Sequence, residues 1–161
     1  MKAASSKYLS VQEALQKLMN YCVYQDRCHK EVEEKLDKLG MQEEAKVYII
    51  HELIQHDFLN ESRFVKSFIR GKFKSKQWGK QKIKYHLKQK NIPQRLIDQN
   101  MSVIDENAYQ NTIRELIQKK VGNKKKVSLK DKQKVIRSLQ TKGYEFGTIM
   151  DSWEKMKLDD K

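Results

Sequence analysis

Apolar residues recur in this chain at a helical spacing, and one short pattern appears three times. In each copy an apolar residue is followed by a second one four positions later, and then by Gly or Asn with an apolar residue directly behind it. The copies are Val32-Leu36-Gly40-Met41, Ile83-Leu87-Asn91-Ile92 and Val135-Leu139-Gly143-Tyr144. A spacing of four puts two side chains on one helical face, and Gly or Asn suits a left-handed C-terminal cap. The pattern therefore predicts three helices that end in the same way.

The copies are offset by 51 and 52 residues, which predicts three examples of one structural unit. Each unit is expected to contain three helices, of which the first begins after Ser10, Asn60 or Asp105, all good N-cap residues. Inward positions on the first helices are predicted at Ala14 and Leu18, Phe64 and Phe68, and Tyr109 and Ile113. The second helices are predicted at 29–39, 79–90 and 128–142, and the third at 42–56, 93–104 and 145–157.

Composition favours the same architecture. Apolar residues make up 38% of the chain and charged residues 34%, and there are one Pro and six Gly, which argues against a turn-rich β fold. We predict an all-α fold of three tandem three-helix repeats that form an elongated, curved array. The predicted domains are a flexible leader at 1–9, repeats at 10–56, 57–104 and 105–158, and a tail at 159–161. The least structured connector is expected at 121–126.

Charge is distributed very unevenly along the repeats. Residues 1–56 hold 8 basic and 9 acidic residues, whereas residues 57–90 hold 11 basic and 2 acidic, a net of +9. Residues 91–161 hold 15 basic and 10 acidic residues. A charge this lopsided indicates a polyanionic partner or an acidic protein surface, with solubility alone as the simpler interpretation.

The basic stretch is interleaved with aromatic residues, a composition that suits contacts to phosphates and stacking on bases. Phe64 and Phe68 are assigned to the core, and Trp78 is interpreted either as a hinge anchor or as a contact residue. A second basic cluster surrounds the connector and is expected to extend the first into one stripe if the units stack in register. The candidate contact residues are Arg63, Arg70, Lys72, Lys74, Lys76, Trp78, Lys80, Lys84, Lys88, Lys124, Lys125 and Lys126.

Catalytic and metal motifs are not found in the sequence. It contains neither G-x-x-x-x-G-K-[ST] nor G-x-G-x-x-G, and Cys22, Cys28 and His29 fit no zinc spacing. We therefore predict structural cysteines, no metal, no cofactor and no enzymatic activity. No apolar run is long enough to span a bilayer, and the N-terminus lacks a signal-peptide core, so a cytoplasmic protein without a membrane partner is expected.

Several segments resemble the RecX family of bacterial RecA regulators. The family often reads R-S-x-x-E-L followed by Leu and Gly, which resembles Arg27-Cys28-His29-Lys30-Glu31-Val32 with Leu36 and Gly40. Its second unit resembles residues 58–64, Phe68 and Arg70, and then Gly79, Ile83, Leu87 and Ile92. The resemblance covers roughly residues 10–157. Asp57 replaces the usual glycine before Phe58-Leu59, and Cys28 stands where a helix-capping serine is common.

The resemblance implies three tandem three-helix units and a non-enzymatic regulator of DNA repair, recombination and the SOS response. Such a protein binds RecA and lies in the groove of the RecA–single-stranded DNA filament. There it modulates, mostly by inhibition, recombinase, ATPase and coprotease activity. The implied working form is a monomer that also contacts DNA directly or through the filament.

Two alternatives stay open at this point. A stand-alone helical protein that binds DNA or RNA through its basic face would bind naked nucleic acid tightly, with an affinity that falls steeply with salt. A helical enzyme with a dispersed site is the third possibility, and no motif supports it.

Overall fold

The computed structural model describes the backbone of residues 8–159 and the side chains of residues 8–157. Over this range the chain is all-helical, with a short 3₁₀ turn at Met101–Val103. Of the predicted leader at 1–9 and tail at 159–161, residues 1–7 and 160–161 lie outside the described residues. The helices are α1 Val11–Tyr24, α2 His29–Lys38, α3 Glu43–Gln55, α4 Glu61–Lys76, α5 Lys80–Gln89, α6 Gln94–Asn100, α7 Glu106–Val121, α8 Leu129–Thr141 and α9 Phe146–Asp159.

The helices follow one another as three three-helix repeats, α1–α3, α4–α6 and α7–α9, which confirms the predicted tandem architecture. The chain also forms two compact units that divide between Val65 and Lys66, inside α4. The repeat boundaries given from the sequence stay a prediction. In the part of the chain that the structure describes, no helix is both long and apolar enough to cross a membrane.

The first compact unit has a core built from the apolar faces of α1, α2 and α3. Helix α3 packs against both α1 and α2. The inward positions predicted on α1 and α2, including Leu18 and Leu36, are fully buried. The buried core residues are Ala14, Leu15, Leu18, Cys22, Val32, Leu36, Ile49, Leu53 and Leu59.

Helix α7 is the central element of the second compact unit, since it packs against both α8 and α9. Its inward positions Tyr109 and Ile113 are buried, as predicted.

On α4 the prediction holds for Phe64 but not for Phe68, which is only half-buried. Val65 and Ile69 are fully buried, so the inward face of α4 includes Phe64 but extends along Val65 and Ile69 rather than to Phe68.

The first helices begin at the predicted capping residues. The Ser10 hydroxyl accepts from the Glu13 N–H at 3.1 Å, and the Asp105 carboxylate accepts from the Ala108 N–H at 2.9 Å. Asn60 Oδ1 accepts from the N–H three residues later at 3.0 Å. Each side chain satisfies one of the amides that an α-helix leaves without an internal partner.

The repeated pattern ends all three second helices in the same cap. Gly40, Asn91 and Gly143 have φ of 73°, 58° and 98°. In α2 the Met41 N–H donates to the Leu36 carbonyl, and the equivalent bonds to Leu87 and Leu139 close α5 and α8. The left-handed residue donates a second bond in each cap, in α2 from the Gly40 N–H to the Asp37 carbonyl. This pair of backbone bonds around a left-handed residue is the Schellman motif, as the Gly or Asn of the pattern predicted.

The third helix of the second repeat is shorter than the predicted 93–104. The α-helix stops at Asn100, whose side-chain amide donates to the Leu96 carbonyl at 2.7 Å. Asn100 is buried, and its side chain competes with the backbone for a helical carbonyl. The chain then tightens into the 3₁₀ turn, with the Ile104 N–H donating to the Met101 carbonyl.

The second and third repeats meet where the end of α8 touches the start of α5. The Gly79 N–H donates to the Lys142 carbonyl at 2.8 Å, and the Gln81 N–H donates to the Gly143 carbonyl at 3.0 Å. The amides at the start of α5 are thus satisfied by carbonyls at the end of α8. The Tyr144 hydroxyl adds a bond to the Gln77 carbonyl at 2.7 Å.

Neither cysteine forms a disulfide, and both are buried, as predicted for structural cysteines. Cys28 stands at the N-cap of α2, where its own N–H donates to Glu31 Oε2 at 3.1 Å. Burial raises the pKa of Cys22 to about 11, so the thiol stays protonated near neutral pH.

Candidate functional site

The candidate site is the α4–α5 basic region, which we define as the cationic side chains between Lys66 and Lys90. Lys66, Arg70 and Lys74 follow one another at intervals of four on α4, and all three are exposed. They therefore share one helical face and point into solvent. Lys76, at the end of α4, is exposed as well.

Trp78 packs between the two helices of the basic region. Its ring stacks on the His86 imidazole with centroids 4.4 Å apart, and the Lys72 and Lys82 ammonium groups lie 5.1 Å and 4.8 Å from the ring centre. Each ammonium group lies over a face of the indole ring, where the π electrons give a negative potential. The arrangement joins α4 to α5, which accords with the hinge-anchor interpretation. A contact role for Trp78 stays a prediction.

The lysines around Trp78 also affect His86. Partial burial, followed by the charges of Lys82, Lys72 and Lys90, lowers the pKa of His86 from its usual 6.5. The imidazole is therefore neutral near pH 7, and it packs as an aromatic plate rather than adding another cation to the region.

Helix α5 presents a second solvent-facing surface. Lys88 is exposed, Lys84 is half-buried, and Tyr85 between them is 59% exposed. The Tyr85 ring lies edge-on to His86 with centroids 5.5 Å apart. An exposed aromatic ring flanked by lysines can stack on a planar group while the ammonium groups bind anions.

Lys80 is hydrogen-bonded to α7 through both its backbone and its side chain. Its backbone N–H donates to the Tyr109 hydroxyl at 3.0 Å, and its Nζ donates to Glu106 at 2.8 Å. The Tyr109 hydroxyl in turn donates to Glu145 at 2.9 Å. Burial raises the pKa of Tyr109, so the phenol stays a donor to Glu145. Lys80 thus connects α5 to α7, while its predicted role as a contact residue stays untested.

Arg63 has a structural network within the first compact unit. Its Nε donates to Asp26 at 2.8 Å, its Nη1 to the Asp57 carboxylate at 3.1 Å, and its Nη2 to the Asp57 and Phe58 carbonyls at 2.9 Å and 3.2 Å. The hydrogen bond to Asp26, with further charge from Asp57, raises the pKa of Arg63. Sequence reasoning assigned Arg63 to the contact surface and missed this network, because Asp26 lies 37 residues earlier.

Asp57 owes its place in that network to an unusual backbone. Its φ is 58°, and the Phe58 N–H donates to the Leu53 carbonyl at 2.8 Å to close α3. Glycine adopts this conformation without strain, whereas most other residues do not. The RecX pattern has glycine at this position, where the left-handed backbone is unstrained. This chain has Asp57 instead, and its carboxylate binds Arg63.

The connector between α7 and α8 carries the remaining candidates. Lys124 is paired with Asp131 at 3.0 Å, while Lys125 and Lys126 are exposed. The connector, predicted at 121–126, is non-helical from residue 122 to 128, and α7 ends where Gly122 takes a φ of 62°. Whether this cluster continues the α4–α5 basic region as one stripe stays a prediction.

The side chains of these surfaces are suited to binding anions. Among the described residues, no group of three or more His, Cys, Asp or Glu side chains is placed to hold a metal ion. The exposed charged groups are ammonium and guanidinium ions on α4, on α5 and in the α7–α8 connector, and the Tyr85 ring lies among those of α5. Such groups bind phosphates and carboxylates.

Comparison with known proteins identifies the fold. A model of the RecX second three-helix domain matches residues 60–101, and a model of the RecX third three-helix domain matches residues 107–151. The crystal structure of RecX from Lactobacillus salivarius superposes with a TM-score of 0.82 at 26% identity, over 92% of this chain and 97% of that one.

Curated relatives carry the name regulatory protein RecX. The protein of Clostridium botulinum (strain Alaska E43 / Type E3) is 35% identical over 129 residues, which cover 78% of this chain and 59% of the relative. That of Lactobacillus johnsonii is 32% identical over 132 residues, which cover 81% of this chain and 49% of the relative. The matched part thus spans half to three fifths of these relatives. Since the two domain models together match more than half of the chain, the protein belongs to the RecX family.

Proposed function

We propose that this protein is a non-enzymatic regulator that binds RecA and the RecA–single-stranded DNA filament. It modulates, mostly by inhibition, the recombinase, ATPase and coprotease activities of RecA in DNA repair. Family membership is the observation that carries the proposal, because relatives with the same three-helix domains are named regulatory protein RecX. The proposed working form is a cytoplasmic monomer.

The exposed cations of the α4–α5 basic region support this function. Lys66, Arg70 and Lys74 form a rigid row on one helix, and Lys84 and Lys88 lie on the next. A filament offers the same acidic surface or DNA phosphates repeatedly, so several weak contacts on one chain act together as a multivalent ligand. The net charge of +9 in residues 57–90 fits such a target better than a small molecule.

Cosedimentation with RecA–single-stranded DNA filaments tests the proposal. We expect the protein to pellet with filaments and to slow RecA ATP hydrolysis and strand exchange at substoichiometric amounts. The double variant Arg70→Glu/Lys74→Glu should bind at least tenfold more weakly with unchanged helicity. The matched control Lys17→Glu/Arg95→Glu alters exposed residues outside the basic region by the same charge and should bind normally. No effect of the unaltered protein on cognate filaments would refute the proposal.

A second candidate function is direct binding of single-stranded nucleic acid. The exposed Tyr85 ring between lysines is the observation that favours it, because such rings stack on bases. This function predicts tight binding to naked oligonucleotides, a steep loss of affinity with salt, and a loss on Tyr85→Ala. Weak oligonucleotide binding beside strong filament binding would reject it.

A further inference from the structure

A groove runs along the C-terminal end of α7, between that helix, the α7–α8 connector and α9. Its narrow section has a volume of about 300 Å³ and contains Trp153, Met156 and Lys157 from α9. Its wider, shallower section has a volume of about 640 Å³ and contains Arg114 and Lys119 from α7. The two sections share Gln118, Gly122 and Met156, so they form one continuous surface feature, which we call the α7–α9 groove.

The narrow section has an apolar floor. Trp153 is 6% exposed and Ile117 is 1% exposed, and the half-buried Met156 and Val121 complete the floor. A cavity of this size lies at the small end of ligand sites, and it suits one bulky apolar group rather than an extended ring system. The floor therefore favours a ligand that inserts a single apolar side chain.

The rim of the groove is strongly cationic. Six cations and one carboxylate, that of Glu115, line the two sections. Lys124 is paired with Asp131 at 3.0 Å, and Glu154 is shared by two other cations, at 4.0 Å from Lys132 and 3.6 Å from Lys157. The lining cations are Arg114, Lys119, Lys124, Lys125, Lys132 and Lys157. Such an imbalance selects an anionic ligand.

Arg114 adds a specific requirement for an acceptor. Among the described residues its Nε is buried and has no hydrogen-bond partner. A buried guanidinium N–H without an acceptor is destabilising, and a ligand carboxylate at the wider section could supply the missing acceptor. Met156 connects this section to the apolar floor, so acidic and apolar groups of one ligand can bind side by side.

We infer that the α7–α9 groove binds an acidic peptide segment of a partner protein that inserts one bulky apolar side chain above Trp153. A nucleic acid fits less well. Base stacking needs an accessible aromatic face, whereas Trp153 is almost fully buried and the Lys132 ammonium lies 5.3 Å from its ring centre. The charge and shape of the groove define this binding site independently of RecA.

Trp153 gives a direct readout of binding. In the Trp78→Phe variant Trp153 is the only tryptophan, so a change in its emission reports on the groove. The probe is the synthetic peptide acetyl-Glu-Asp-Glu-Phe-Glu-Asp-Glu-amide, and calorimetry on the unaltered protein provides an independent measurement. We expect saturable binding, with an affinity at least tenfold lower for the same peptide carrying Gly in place of Phe.

Charge reversals locate the site. Lys125→Glu/Lys157→Glu should weaken peptide binding at least tenfold, whereas Lys66→Glu/Lys74→Glu on α4 should leave it within twofold. Three outcomes would overturn the inference: no binding at millimolar peptide, equal affinity for the Phe and Gly peptides, or an equal change in Trp153 emission with a single-stranded oligonucleotide of the same charge. The last outcome would assign the groove to nucleic acid.

Discussion

Gly79 and Gly143 approach so closely that neither position has space for a side chain. A Cβ on Gly79 would lie 2.3 Å from the Gly143 carbonyl carbon, and a Cβ on Gly143 would lie 2.4 Å from the Lys82 Cβ. These contacts involve backbone or backbone-adjacent atoms, so no flexible side chain can move aside. The close approach allows the start of α5 to hydrogen-bond the end of α8.

We therefore expect Gly79→Ala and Gly143→Ala each to lower the free energy of unfolding by more than about 2 kcal/mol, because the two helix ends must separate. Gly143 adds strain, since its φ is 98°. Gly71 is the matched control, because it lies inside α4 with open space around it, and alanine there should stabilise by about 0.5–1 kcal/mol. Urea unfolding followed by circular dichroism measures all three. Similar losses at Gly71 and Gly79 would contradict the close contact.

The Tyr109 hydroxyl, and not only the buried ring, is expected to contribute to the free energy of unfolding. Tyr109→Phe keeps the buried ring but leaves the Lys80 N–H and the Glu145 carboxylate without this partner. We predict a loss of about 1–3 kcal/mol in the free energy of unfolding, because unsatisfied buried polar groups are costly. Tyr85→Phe, at an exposed ring, should change stability by less than about 0.5 kcal/mol. Equal stability of the two variants would show that the Tyr109 bonds contribute nothing.

Arg63 should be required for stability rather than only for contacts. Arg63→Lys keeps the charge but cannot bind Asp26, Asp57 and two carbonyls with one planar group. We predict a loss of about 1–3 kcal/mol in the free energy of unfolding, whereas Arg70→Lys on the exposed face of α4 should cost less than about 0.5 kcal/mol. If thermal unfolding of the two variants is indistinguishable, the network around Arg63 is not stabilising.

His86 is expected to titrate below the ordinary histidine value of 6.5. As the pH falls below that value, the unfolded chain takes up the proton before the folded chain does. The contribution of His86 therefore lowers stability toward acid pH. NMR titration of the imidazole measures the pKa directly. Lys82→Gln should raise the pKa by removing a nearby positive charge, and Lys17→Gln should leave it unchanged. A titration at or above 6.5 would contradict the effect of Lys72, Lys82 and Lys90.

The local features of this fold were predictable because each depends on a few residues that are close together in the sequence. The capping residues Ser10, Asn60 and Asp105 act within one helical turn, and the Schellman caps at Gly40 and Gly143 depend on two adjacent residues and the preceding helix. The periodic apolar residues then determine which helical faces are buried. Tandem three-helix repeats follow from such local rules.

Long-range contacts were not predictable in the same way. The spacing that marks Gly143 as a helix cap says nothing about Gly79, which lies 64 residues earlier. In the sequence, Arg63 cannot be distinguished from the exposed cations near it. Only the structure places Asp26 beside it. On α4, the inward face extends to Ile69 rather than Phe68, because packing against other helices selects among several apolar residues.

The shared caps make the second helices candidates for exchange in protein design. Each of α2, α5 and α8 is closed by backbone bonds around one left-handed residue, and none of these bonds involves a surface side chain. The solvent-facing residues of α5 could therefore be grafted onto α2 without altering the signal that ends the helix. A chain with two basic repeats instead of one would then show how binding scales with the number of charged modules.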